Sequence, residues 1–319
     1  MRYFNTYGPV NEIEHYVVPR SKLVAELIAQ IEQGKYFTIY APRQIGKTTL
    51  LRRLRDVLLS KENYLPVTLS FGGMENWPLS DFLQAFSTRL SRRIVEVLQA
   101  NSDPAFTEVN QLVGSNLPTS FYTLQKFLEN LHQLLPQYHI VQIIDEIDGM
   151  PQSVISDLLQ SWREIYLASE PPRPIHSVIL IGLQNIATLN LGRSVPFNIA
   201  RELQLPPFTL SQVRHLLGQY TTETGQPFAQ GVIEELFYQT SGHPFLINRV
   251  AAITTEEIAT NRQQPITSSD LSAALQQLLA ESNYNFEALF RRADPYKEDV
   301  LNILFVGAVR EPPLQIYTH

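Results

Sequence analysis

The chain has 319 residues, 44% of them hydrophobic and 18% charged, and a formal net charge of −6. That length suggests two or three domains with room for a sizeable core, and the acidic balance argues against a whole-surface grip on nucleic acid, leaving only a local basic patch open. The sequence has no cysteine, which excludes disulfides, thiolate metal sites and cysteine nucleophiles; no apolar run nears the ~18 residues of a membrane span, and the polar start from Met1 to Glu14 has no signal-peptide core, so a soluble cytoplasmic protein is expected.

Phe4 to Arg20 carries Gly8, Pro9 and Pro19 with little periodicity and reads as an extended segment. Ser21 is placed to cap a helix running to about Gln33, with Leu23, Val24, Leu27, Ile28 and Ile31 on one stripe and Gly34 at its stop. Tyr36–Tyr40 reads as a buried strand, 41–46 as a loop, and Lys47 to about Ser60 as an amphipathic helix. A second strand is expected at Val67–Phe71, a long helix from about Leu79 to Leu98, and a loop over 101–120, which is rich in Asn, Ser, Pro and Thr. A helix from Phe121 to Leu135 leads to the strand Ile140–Ile144. Then come a helix at Gln152–Leu167, a proline-rich loop at Pro171–Pro174, the strand Ser177–Ile181 and a short strand near Glu202–Leu205.

Strands alternating with helices imply an α/β domain with a parallel sheet flanked by helices. After Pro206-Pro207 the strand signal stops, and 209–280 read as helices only. The expected division is therefore an α/β domain over 1–207, a small helical domain over 208–262, and a C-terminal region over 263–319. In that last region, a helix from Thr267 to Leu279 opens on the cap-like Thr267-Ser268-Ser269-Asp270, and Phe286 to Val306 has the spacing of two more helices.

The strongest motif is Ala41-Pro42-Arg43-Gln44-Ile45-Gly46-Lys47-Thr48-Thr49, the relaxed P-loop pattern between a strand and a helix. A triphosphate needs converging backbone N–H groups: Gly46 allows close approach and the new helix turns its positive end to the phosphates. Lys47 is a point charge for the β- and γ-phosphates, and the Thr48 hydroxyl is a ligand for Mg²⁺. Ala41 stands where the strict motif has glycine. It precedes a proline, which favours extended backbone that alanine tolerates.

Asp145 and Glu146 follow the apolar strand Ile140–Ile144 in the manner of a Walker B motif. Acids often merely open loops, but downstream of a P-loop Asp145 becomes a candidate for the Mg²⁺ shell and Glu146 a general base for water. Asp148 is a further candidate in their surroundings. The acidic strand is expected beside the P-loop strand, both ending at one crevice.

Several stretches then resemble one family. Tyr7–Val10, His15–Arg20 and Tyr36–Leu50, together with Leu158–Glu164, Pro196–Ala200, Leu205–Thr209 and Ser241-Gly242-His243-Pro244-Phe245-Leu246, resemble the bacterial AAA-like P-loop ATPase domains, relatives of archaeal-type ATPases and of signal-transducing (STAND) NTPases. The resemblance covers about residues 4–252. It implies an AAA+-like fold with a helical lid and ATP as the nucleotide. Tyr16, Val18, Pro19 and Arg20 would lie on the adenine side, and Gln184, with Asn185 close behind, would sense the γ-phosphate. His243 and Pro244 would start the lid helix. Arg193 or Arg201 would serve as an arginine finger toward a neighbouring subunit, which brings in a homo-oligomer.

Replication-type relatives carry an arginine where this chain has His243-Pro244-Phe245, and Arg249 one turn later is the candidate substitute. In relatives the C-terminal region often opens a winged helix; here Gly307–Pro312 could begin its hairpin, and the wing would be incomplete. Arg291-Arg292 and Arg52, Arg53 and Arg55, placed on the solvent side of the P-loop helix, are thin support for DNA. The expected function is a slow Mg·ATP-hydrolysing switch with a signalling partner. A DNA-handling ATPase, a non-hydrolysing nucleotide scaffold and, last, a metabolic kinase are the alternatives.

Overall fold

The structure is a computed structural model and describes residues 1–115, 117–168, 173–182 and 199–281. Among them lie α1 (Ser21–Glu32), β1 (Phe37–Tyr40), α2 (Lys47–Leu59), β2 (Tyr64–Ser70), α3 (Leu79–Ala100), α4 (Phe106–Ser115), α5 (Phe121–Leu134) and β3 (His139–Asp145). They are followed by α6 (Gln152–Ala168), β4 (Ser177–Gly182), β5 (Arg201–Gln204), α7 (Leu210–Thr224), α8 (Val232–Thr240), α9 (Pro244–Ala252) and α10 (Ser268–Ala280). No helix of the described residues is long and apolar enough to cross a membrane. The expected winged-helix segment, Phe286 to Pro312, lies outside the described residues.

The five strands form one parallel sheet in the order β2-β3-β4-β1-β5. Both faces are covered, as the near-continuous apolar strands require. Ile140 and Ile144 of β3 enter a core with α3, α5 and α6, while Val141 and Ile143 enter a second core with α1 and α2. The acidic strand was expected next to the P-loop strand, and this is corrected: β4 lies between β3 and β1. Every residue of β4 is buried, so it takes the centre of the sheet. Register still brings the ends together. Ile144 pairs with Leu180, and Ile39 with Ile181, so Asp145 and the end of β1 open at the same sheet edge, about 10 Å apart sideways.

Three further expectations are corrected. Residues 106–115 form α4 rather than loop: Val109 is buried, and Phe106, Leu112 and Val113 pack on the first core at helical spacing. Ser21 does not cap α1. Arg20 holds the cap position in a left-handed conformation (φ 49°), and its side chain does not bond the helix N-terminus. The domain limits also shift. Phe4, Tyr16 and Val18 join α7–α10 in a third apolar core, so the start of the chain belongs to the helical lobe. Leu271, Ala274 and Leu278 of α10 are in that same core, and the boundary expected at 262/263 cuts through it.

Candidate functional site

The P-loop stands between β1 and α2. Ala41 is fully buried, its N–H donates to the Gly182 carbonyl (3.2 Å), and its φ is not positive, so its methyl group adds no strain. Gly46 sits at φ 96°, and a side chain there would meet nothing within 4 Å. The residue is glycine for its backbone, and the space over it is open to a ligand. Lys47 donates to the carbonyls of Ala41 (2.8 Å) and Pro42 (2.7 Å), straddling the loop. Burial lowers its pKa, and the fields of Asp145, Asp148 and Glu146 oppose that shift. The first N–H groups of α2 have no intrahelical partners and face the same space.

Asp145 is half-buried at the end of β3. Burial raises its pKa, against the Glu146 N–H that donates to its Oδ1 (2.9 Å) and the Lys47 ammonium. Lys47 and Asp145 thus feel each other although two strands apart. Glu146 takes a left-handed conformation (φ 56°), a costly one for a non-glycine residue and a common mark of functional sites. The turn aims its carboxylate at β2, where the Ser70 hydroxyl donates to Oε2 (2.8 Å). Gly72 makes this seat possible, because a Cβ there would lie 2.5 Å from Oε2. Arg89 of α3 donates to the Ser70 carbonyl and lies over the Phe71 ring. Neither Ser70 nor Arg89 was foreseen; the pair Gly72-Gly73 after an apolar strand was their only trace in the sequence.

From the α2 terminus a cleft of ≈ 290 Å³ runs between the lobes. It is lined by Gln44 and Gly46–Leu50 of the phosphate loop and α2, together with Asn5–Val10, Tyr16, Val17, Val18, Arg20, Arg53, Phe208, Leu216, Pro244, Phe245 and Asn248. Arg20 ties its parts together. Its guanidinium donates to Pro206 O (2.9 Å) and Ile45 O (3.3 Å) and lies 4.7 Å from the centre of the Phe208 ring. Burial, with Arg53 adding to it, lowers its pKa to about 10, so it stays charged at neutral pH.

The expected site residues divide clearly. Tyr16, Val18, Arg20, Gln44, Gly46, Lys47, Thr48, Thr49 and Pro244 line the cleft. Ala41, Pro42, Arg43 and Ile45 are the loop behind it, and Pro19 is exposed outside it. His243 is not in the wall: its ring bonds the backbone of Arg43, joining lid to P-loop, while burial lowers its pKa. Arg201 pairs with Phe37 at the N-terminal edge of the sheet, the far edge from Lys47. Gln184, Asn185 and Arg193 lie outside the described residues.

Two readings are corrected. Arg249 does not substitute for a lid arginine, because it pairs with Glu257 (3.5 Å) and Glu281. Arg53 is not on a solvated face: it donates to Val18 O (2.9 Å) and Glu12 (2.5 Å) and lines the cleft. Among the described residues no cluster of three or more His, Cys, Asp or Glu could hold a metal ion.

A profile of the AAA-like domain matches residues 6–282, both lobes and the cleft between them. The chain is 24% identical over 241 residues to an uncharacterised WD repeat-containing protein of Synechocystis; the match covers 73% of this chain and 19% of that relative, so the chain spans about a fifth of its length. The Walker-type ATPase of Pyrococcus abyssi has a similar fold, with TM-score 0.52 and 16% identity over 92% of this chain and 81% of that one. Cdc6p of Pyrobaculum aerophilum is similar with TM-score 0.52 and 14% identity over 84% and 69%. The P-loop on its sheet edge, the helical lobe across the cleft and the profile that spans both agree: the chain belongs to the AAA-like domain family.

Proposed function

We propose that the chain binds Mg·ATP in this cleft, hydrolyses it slowly and uses the nucleotide to set the relation of its two lobes. The observation that carries this is one cleft walled by the P-loop, the N-terminal segment and the first turn of α9. A nucleotide seated there touches both lobes, so its binding energy acts on their closure.

In this reading the Lys47 ammonium leaves the loop carbonyls for the β- and γ-phosphates, and the α2 N-terminus receives their charge. Thr48 and Asp145 fit a divalent cation whose shell is completed by phosphate oxygens and water: one hydroxyl and one carboxylate are too few to hold Mg²⁺ alone. When bound, Mg²⁺ neutralises charge on the transferring phosphoryl group. Glu146 accepts a proton from the attacking water, and Ser70 fixes its carboxylate. Gln184 and Arg193 remain proposed as phosphate sensor and finger. Arg201, exposed at the far sheet edge, would reach only a neighbouring subunit's nucleotide. A signalling partner that reads the closure of the lobes is part of this proposal.

The test is Mg²⁺-dependent ATP binding and turnover by the protein, Lys47→Ala and Glu146→Gln, with and without duplex DNA. Lys47→Ala is expected to lose binding. Glu146→Gln is expected to keep it with turnover lowered by about 10²–10⁴-fold. Binding without any turnover would favour a scaffold, stimulation by DNA a DNA-handling ATPase, and failure to bind any nucleotide would sink the reading.

A further inference from the structure

The carbonyl groups of the phosphate loop are held from two directions. Lys47, in the first turn of α2, takes those of Ala41 (2.8 Å) and Pro42 (2.7 Å). Arg20, in the segment before α1, takes the Ile45 carbonyl with Nη2 (3.3 Å). The start of α9 adds a further tie to the loop backbone, from the His243 ring to Arg43.

The Ile45 carbonyl shares its peptide with the Gly46 N–H. In a planar trans peptide the two point in opposite directions, so whatever fixes one fixes the other. Gly46 is the N-cap of α2 at φ 96°, and its own N–H precedes the intrahelical ladder. Glycine restricts its own backbone less than any other residue, and a Cβ here would meet nothing within 4 Å. Local sterics therefore leave the direction of this N–H to a hold from outside the loop. Arg20 is seated for that hold. Its backbone is left-handed (φ 49°, ψ 31°), a conformation that disfavours residues other than glycine, and its side chain does not cap α1. The guanidinium instead meets Pro206 O (2.9 Å), Ile45 O and the Phe208 ring (centre 4.7 Å away), which its rigid planar fork can engage together.

We propose that Arg20 is a positioning residue of the phosphate site: by holding the Ile45 carbonyl it turns the Gly46 N–H toward a phosphate oxygen of the nucleotide before the nucleotide arrives. This rests on the Mg·ATP reading. Lys47 exchanges its carbonyls for the phosphates on binding, whereas Arg20 keeps its own. The test compares the wild type with Arg20→Met, shown folded by its thermal melt, using ATP and inorganic triphosphate, each with Mg²⁺. Calorimetric titration is expected to show Arg20→Met losing about tenfold or more in affinity for both ligands, by a similar factor. Hydrogen exchange at the Gly46 amide, read by NMR, is expected to slow when ATP saturates the wild type and to stay fast when it saturates the variant. Loss of ATP affinity alone would place Arg20 on the nucleoside and overturn the proposal. Equal slowing at Gly46 in the variant would reduce Arg20 to a distant charge and overturn it too. So would a wild type that binds ATP while its Gly46 amide exchanges as fast as before, a result that needs no folded variant. Failure of both ligands to bind the wild type would instead overturn the Mg·ATP reading itself.

Discussion

Gly242 and Gly72 are both indispensable small residues, and they should fail in opposite ways. Gly242 takes φ 73° where the chain enters α9, its carbonyl accepts from the Phe208 N–H (2.8 Å), and a Cβ there would lie 2.1 Å from the Phe208 carbonyl. The obstacle is backbone, which cannot step aside. Gly242→Ala is expected to cost about 3 kcal/mol or more of stability, read by denaturant melts. At Gly72 the obstacle is the far end of the Glu146 side chain, which can move. Gly72→Ala should melt within a degree or two of the wild type but push the carboxylate off Ser70, so turnover is expected to fall about tenfold or more while ATP affinity holds. A Gly72→Ala protein with normal turnover would show that the seat on Ser70 does not position Glu146 for the reaction.

Among the elements, those with a strong period were legible and those defined by partners were not. The P-loop, α2 and β3 follow from the run Tyr36–Leu58 and from Ile140–Ile144, because a buried strand and an amphipathic helix write their burial into the chain. The place of β4 between β1 and β3 does not, since order in a sheet depends on contacts far apart in sequence. Nor could Phe4 and Tyr16 be assigned to the helical lobe: their packing against Tyr220, at ring separations of 5.8 and 6.0 Å, joins positions some two hundred residues apart.

The N-terminal rim of the sheet carries a prediction of its own. His139 and His176 pack with ring centres 4.3 Å apart and planes tilted by 37°, beside Tyr64, and the His176 Nε2–H donates to Ile31 O (2.7 Å). Burial lowers both pKa values from 6.5; His132 adds to the shift at His139, while His139 and Arg173 add to it at His176. A base with a depressed folded pKa stays neutral in the fold and protonates more readily when unfolded. Its stabilisation is therefore complete above pH 6.5 and is lost as pH falls below it. His15 and His243 shift in the same direction. The melting temperature should hold from pH 8 to 7 and fall between 6.5 and 5, with a shallower fall in His139→Gln and His176→Gln. An unchanged slope in both variants would remove the pair from the account.

At the scale of the whole molecule, the two lobes have separate cores, and few groups connect them. Arg20 is the most central: it bonds Ile45 in the P-loop and Pro206 at the entry to the helical lobe, and it lies over Phe208. The His243 ring, bonded to the backbone of Arg43, is a second tie. Lobes joined this lightly are expected to melt in two steps when nothing fills the cleft. A ligand that touches both binds only when both are folded, and at one hundred times its Kd it adds about 2.7 kcal/mol to their joint stability. Calorimetric scans should then show the two steps merging as Mg·ATP is added, with no such change for Lys47→Ala. Arg20→Ala removes the staple and leaves Lys47 in place. If Arg20 couples the lobes, that variant should still bind Mg·ATP, more weakly, and keep two transitions at saturation. Should its transitions merge as in the wild type, the coupling must run through the nucleotide itself and the remaining ties, the His243 contact and the bond from Arg53 to Val18 O, rather than through Arg20.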